Sequence, residues 1–79
     1  MPTMQTIGER VRWARGKRGL TLRELEDSAD LSVGHAGAIE RGVRFAPSGA
    51  TVAALARVLK VDAAWLMFGG RAPKIAQAK

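Results

Sequence analysis

Cysteine is absent from the 79 residues, which excludes a disulfide framework and a thiolate zinc site. Histidine occurs once, so no metal cluster and no cofactor is expected. There is no paired-carboxylate constellation, no nucleophile beside a base and no glycine-rich phosphate loop, so no enzyme emerges. No stretch approaches the ~18 apolar residues of a membrane span, and the N-terminus lacks the apolar core of a signal peptide. The chain is therefore expected to work in the cytoplasm, with no membrane partner. Acidic residues are also scarce. Seven Asp and Glu face thirteen Lys and Arg, for a net charge of +6.

What is present fits one small folded domain. Hydrophobic residues make up 47 % and charged residues 25 %, ordinary for a globular chain and wrong for disorder. A chain of this size buries only about 60 % of its unfolded surface. A core without staples at this length points to helices, often completed by dimerisation. The basic excess favours a polyanion, nucleic acid or an anionic membrane surface, over a merely solvated basic face.

Glycine and capping residues divide the chain into five helices with no strand alternation. Ile7, Val11 and Ala14 share one face of the first helix, which Gly19 closes. Thr21 with Glu24 forms a capping box for the second, whose apolar side carries Leu22, Leu25 and Ala29. After a corner at Asp30-Leu31, Ser32 is expected to cap a third helix running to Arg41 and stopped by Gly42. A loop from Val43 to Pro47 follows. Ser48 caps a fourth helix with Val52, Leu55, Ala56 and Leu59 inward, and Asp62 caps a last one, Ala63 to Phe68. Residues 1–70 form the domain, and 71–79 a loose basic tail.

Two short helices around a tight corner have the arithmetic of a helix-turn-helix. The stretch from Ile7 to Gly69 resembles the lambda-repressor-like helix-turn-helix family, the Cro/C1-type or XRE-type transcriptional regulators. The resemblance rests on Ile7-Gly8-Glu9-Arg10-Val11-Arg12 with Arg15, Arg18-Gly19-Leu20-Thr21, Leu25, Leu31-Ser32 and Ile39-Glu40-Arg41-Gly42. It continues through Pro47-Ser48, Leu55-Ala56-Arg57-Val58-Leu59, Val61-Asp62, Trp65-Leu66 and Gly69. It implies an all-α five-helix bundle that binds double-stranded DNA, associated with the nucleoid. It also implies a homodimer on a palindromic operator, acting as a repressor, with helix 32–41 in the major groove. An ion pair between Arg15 and Glu40, and a dimer interface at Ala64, Met67 and Phe68, follow from the same likeness.

The chain departs from the family pattern in four ways. Glu26 stands where a small alanine is usual, and Ala36 where a bulky aliphatic packs opposite it. The two read either as a volume-compensating swap, or as a loose contact with Glu26 turned to water. In the swap, the glutamate head must reach solvent, a donor or the start of the third helix. Asp30 replaces the corner glycine, and tolerates positive φ better than most residues. Leu22 replaces a glutamine that touches phosphate in relatives. A leucine makes no such bond, so this phosphate either goes without it or is held by Thr21 and Arg23 instead.

The recognition helix itself is the fourth. Ser32, Val33, Gly34, Gly37 and Ala38 are expected to face DNA with His35 at the edge, yet only Ser32 and His35 carry hydrogen-bonding side chains. Two interior glycines would cost about 1 kcal/mol each. A smooth helix suits deep seating, with Val33 and Ala38 against thymine methyls and DNA shape carrying part of the specificity. Arg41 and Arg44 suit a backbone clamp, and Arg10, Arg12, Lys17 and Arg18 add positive field. The competing class is a protein-interaction module without base readout, holding its partner through Trp13 or through the smooth third helix. Trp13 reads either as a surface cation–π cluster with Arg10 and Lys17 or as an anchor for a protein partner, and Trp65 as core packing.

Overall fold

The computed structural model describes residues 4–42 and 47–75. These form five α-helices: α1 (Ile7–Arg18), α2 (Leu22–Ala29), α3 (His35–Arg41), α4 (Gly49–Leu59) and α5 (Ala63–Phe68). Each boundary has a chemical cause. Thr6 accepts the Glu9 N–H at 3.1 Å, while the Glu9 carboxylate accepts from the amides of Thr6 and Gln5. Those backbone N–H groups, Thr6's first, hold the Glu9 carboxyl below its ordinary range. Thr21 and Glu24 repeat the arrangement at α2, and Ser48 and Asp62 cap α4 and α5. Gly19 ends α1 in the left-handed region, and Asp30 ends α2 at φ 59°, as its short polar side chain allows.

Helix α3 departs from expectation. It starts at His35 rather than after Ser32, because Gly34 sits at φ 88° and breaks the helical path. The Ser32 carbonyl instead accepts the His35 N–H at 3.0 Å, closing a turn, and no side chain of the turn caps the helix. Gly34 is thus a required left-handed residue, not an interior glycine, and carries none of the helix penalty expected for it.

The core gathers Val11, Leu25, Leu55, Leu59 and Leu66, all fully enclosed, with Ala14, Ala29, Ala36, Ile39, Val52, Ala56 and Trp65 around them. Helix α1 packs against α3, α4 and α5 and ties each down with an arginine. Arg10, buried, donates to the carbonyls of Leu66 and Met67 at 2.8 Å, at the end of α5, and to Met4. Arg18 donates to Leu59 and Lys60 at the end of α4. Arg15 holds Glu40 in the last turn of α3. The cations of Arg10 and Arg18 satisfy carbonyls that helix ends leave unpaired.

Two further expectations are corrected. Trp13 is half-buried, its ring meeting Trp65 edge-on with centroids 5.7 Å apart. Lys17 Nζ lies 5.8 Å from the Trp13 ring centre, but Arg10 takes no part, since its guanidinium is committed to carbonyls. The chain after Gly70 is not loose from its start, because Ala72 and Ile75 lie partly buried against the core. No helix among the described residues is long and apolar enough to cross a membrane.

Candidate nucleic-acid interface

Helices α2 and α3 and the turn between them form the candidate interface. Ser32, Val33, Gly34 and His35 are exposed along the turn and the first residue of α3. Val33 is the most conspicuous, an apolar side chain 76 % exposed. Ala38 is half-buried and Arg41 exposed. Gly37 is different: it is buried rather than presented to a ligand, because the Leu22 and Arg41 side chains cover it. Thr21 and Arg23 are exposed at the start of α2, and Arg23 is 3.4 Å from Asp27, one turn on. Arg44 lies outside the described residues.

The orientation of α3 is set from both ends. At its start, Glu26 is only 3 % exposed, and its Oε2 accepts the Ala36 N–H at 3.0 Å. The buried carboxylate of α2 therefore caps a helix with no cap of its own. Of the destinations open to the glutamate head, it takes the start of α3. At the other end, Arg15 Nε and Nη2 meet the two Glu40 oxygens at 2.6 and 3.1 Å, while Nη1 donates to the Leu20 carbonyl at 2.9 Å. The hydrogen bonds to Glu40 raise the Arg15 pKa further above its ordinary value.

The Glu26–Ala36 arrangement predicts a coupled response. Ala36→Ile alone should overpack the contact and destabilise by roughly 1–3 kcal/mol. Adding Glu26→Ala should recover most of that, short of the hydrogen bond to the Ala36 amide, worth about 1 kcal/mol. Urea unfolding of the four proteins measures the cycle, and simple additivity would show that the sites do not touch.

Charge on this face is less than the composition suggests, because Arg10, Arg15 and Arg18 are spent inside the fold. Arg12, Arg23 and Arg41 remain exposed. On α5, Ala64 is exposed, Met67 is half-buried and Phe68 is 83 % exposed. Sequence reasoning missed the Thr6–Glu9 box, although its T-x-x-E spacing was readable. It also missed the carbonyl cradle of Arg10, for which no local signal exists.

Comparison with known proteins follows the same lines. The helix-turn-helix family profile matches residues 11–66. The transcriptional regulator ClgR of Mycobacterium tuberculosis is 40 % identical over 57 residues, 72 % of this chain and 50 % of ClgR. The HTH-type transcriptional repressor RghR of Bacillus subtilis is 35 % identical over 65 residues, 82 % of this chain and 48 % of RghR. The chain thus spans about half the length of these relatives. Among solved structures, the P22 c2 repressor in complex with a synthetic operator matches with a TM-score of 0.78 at 27 % identity, covering 84 % of this chain and 98 % of that one. The biofilm regulator SinR in complex with DNA matches at 0.73 and 30 % identity, covering 77 % and 97 %.

Proposed function

Since the chain belongs to the Cro/C1-type (XRE-type) helix-turn-helix family, we propose that it is a DNA-binding transcriptional repressor acting as a homodimer on a palindromic operator. The observation that carries this reading is the α2–turn–α3 unit. Its exposed edge is Ser32, Val33 and His35, and its orientation is clamped by Glu26 and by Arg15–Glu40. Ser32 and His35 supply hydrogen bonds to base edges, and Val33 and Ala38 supply apolar contact to thymine methyls. Thr21, Arg23, Arg41 and Arg44 hold phosphates and set the register. DNA complexes of P22 c2 repressor and SinR support the choice of ligand.

Two-fold pairing through Ala64, Met67 and the exposed Phe68 would set two α3 helices about 34 Å apart, one turn of duplex. As an anchor for a protein partner Trp13 offers only part of its ring, because it is half-buried and meets Trp65 edge-on.

Selection of bound sequences from a random duplex library tests the proposal. The expected product is an inverted repeat with half-sites one helical turn apart. Ala38→Gln should change the preferred bases, since a long amide reaches edges that a methyl cannot. Equal binding to every duplex, before and after that substitution, would overturn base readout. A monomeric mass with and without the selected duplex would overturn the dimer.

A further inference from the structure

The buried glycine of α3 has a use that its lack of a side chain conceals. A Cβ built on Gly37 would stand 3.1 Å from Arg41 Nη1 and 3.7 Å from Leu22 Cδ1. The Arg41 side chain therefore runs back along α3 by one turn, as long helical side chains do. Its Nη1 thus lies over Gly37, in the cleft that α3 makes with the first residue of α2. Leucine at position 22 gives that cleft an apolar wall with no polar group to compete for the guanidinium. Arg41 remains exposed, and no carboxylate among the described residues pairs with it.

We infer that Gly37 is a positioning residue that seats the Arg41 guanidinium against α2, so that Arg41 meets a DNA phosphate there. Position 37 itself reads no base. The inference rests on the DNA-binding reading and deepens it. It reverses the expectation that Gly37 faces the bases, and it fixes on which side of α3 Arg41 works. A rigid fork held in place loses less freedom on meeting a phosphate than one free in solvent.

The test is a double-mutant cycle on binding, with Kd measured against salt for the selected operator and a scrambled duplex. Arg41→Ala should weaken both duplexes by a similar factor, roughly tenfold, and lower the salt slope by about 1. Gly37→Leu fills the seat and should do the same, although leucine favours a helix more than glycine does. The double variant should bind no worse than Arg41→Ala alone. Gly37→Ser gives the same cycle with a shorter side chain, should circular dichroism show that leucine disturbs the fold. Gly37→Ala, which asks Nη1 to yield only slightly, should nearly preserve affinity. Additive losses in the cycle, or a change of base preference in a Gly37 variant, would overturn the inference while leaving DNA binding intact. A wild-type chain that binds neither duplex would overturn the DNA reading and this inference together.

Discussion

Arg15→Ala should destabilise the chain by about 3–5 kcal/mol, the range for stranding one member of a buried ion pair. Its partner Glu40 keeps only 7 % of its side-chain surface in water, so the orphaned carboxylate would have almost no solvent to fall back on. Glu40→Ala should cost less. Arg15 is 19 % exposed and would keep its hydrogen bond to the Leu20 carbonyl. Total stability at this length is on the order of 4–12 kcal/mol, so the first substitution could remove most of it. Replacing both residues by apolar ones of similar volume should be close to neutral, because desolvation offsets much of the attraction. Urea unfolding of all three proteins checks the order. A loss below about 1 kcal/mol for Arg15→Ala would show that the pair behaves as a surface contact. The functional cost should exceed the stability cost in the double variant, since the bidentate geometry helps to fix the last turn of α3 against α1.

Much of this was legible in the sequence because it depends on local chemistry. Capping residues and αL-tolerant residues are read from single positions, so α2, α4 and α5 begin where Thr21, Ser48 and Asp62 say they should, and α1 and α2 end at Gly19 and Asp30. The start of α3 is harder, because Ser32 has the chemistry of a cap while Gly34 has the freedom to break the helix, and propensity alone does not rank the two. The structure ranks them through Glu26, which caps α3 from another helix and makes a local cap unnecessary.

Side-chain direction is harder to read than helix position. Arg10, Arg15 and Arg18 look alike as positive charges on α1, but each ends at a different partner separated by 25 or more residues. Only the packing of the helices reveals which charges are left for a ligand. Trp13 escapes a local reading for the same reason: its neighbour Trp65 lies on the last helix. Gly37 shares the face expected for readout, and only the path of the Arg41 side chain shows that it is covered.

Gly8→Ala should destabilise by about 3 kcal/mol, at the upper end of ordinary overpacking. Glycine to alanine inside a helix normally stabilises by about 1 kcal/mol, so the sign here must come from tertiary contact. A Cβ on Gly8 would lie 2.3 Å from the Ile39 carbonyl oxygen and 2.8 Å from that of Glu40. Both are backbone atoms in the last turn of α3, and neither can swing aside as a flexible side chain would. Relief requires α1 and α3 to separate, which would stretch the Arg15–Glu40 bridge two turns along the same contact. Gly16, also on α1, supplies the control, because a Cβ there meets nothing within 4 Å. Gly16→Ala should therefore raise the midpoint of thermal unfolding while Gly8→Ala lowers it, with identical chemistry in a single helix. Because α3 must move to admit the methyl group, Gly8→Ala should also blur the base preference of whatever protein remains folded. A Gly8→Ala protein as stable as Gly16→Ala would mean that α1 does not lie against the end of α3 at this distance, and the orientation assigned to the recognition helix would fall with it.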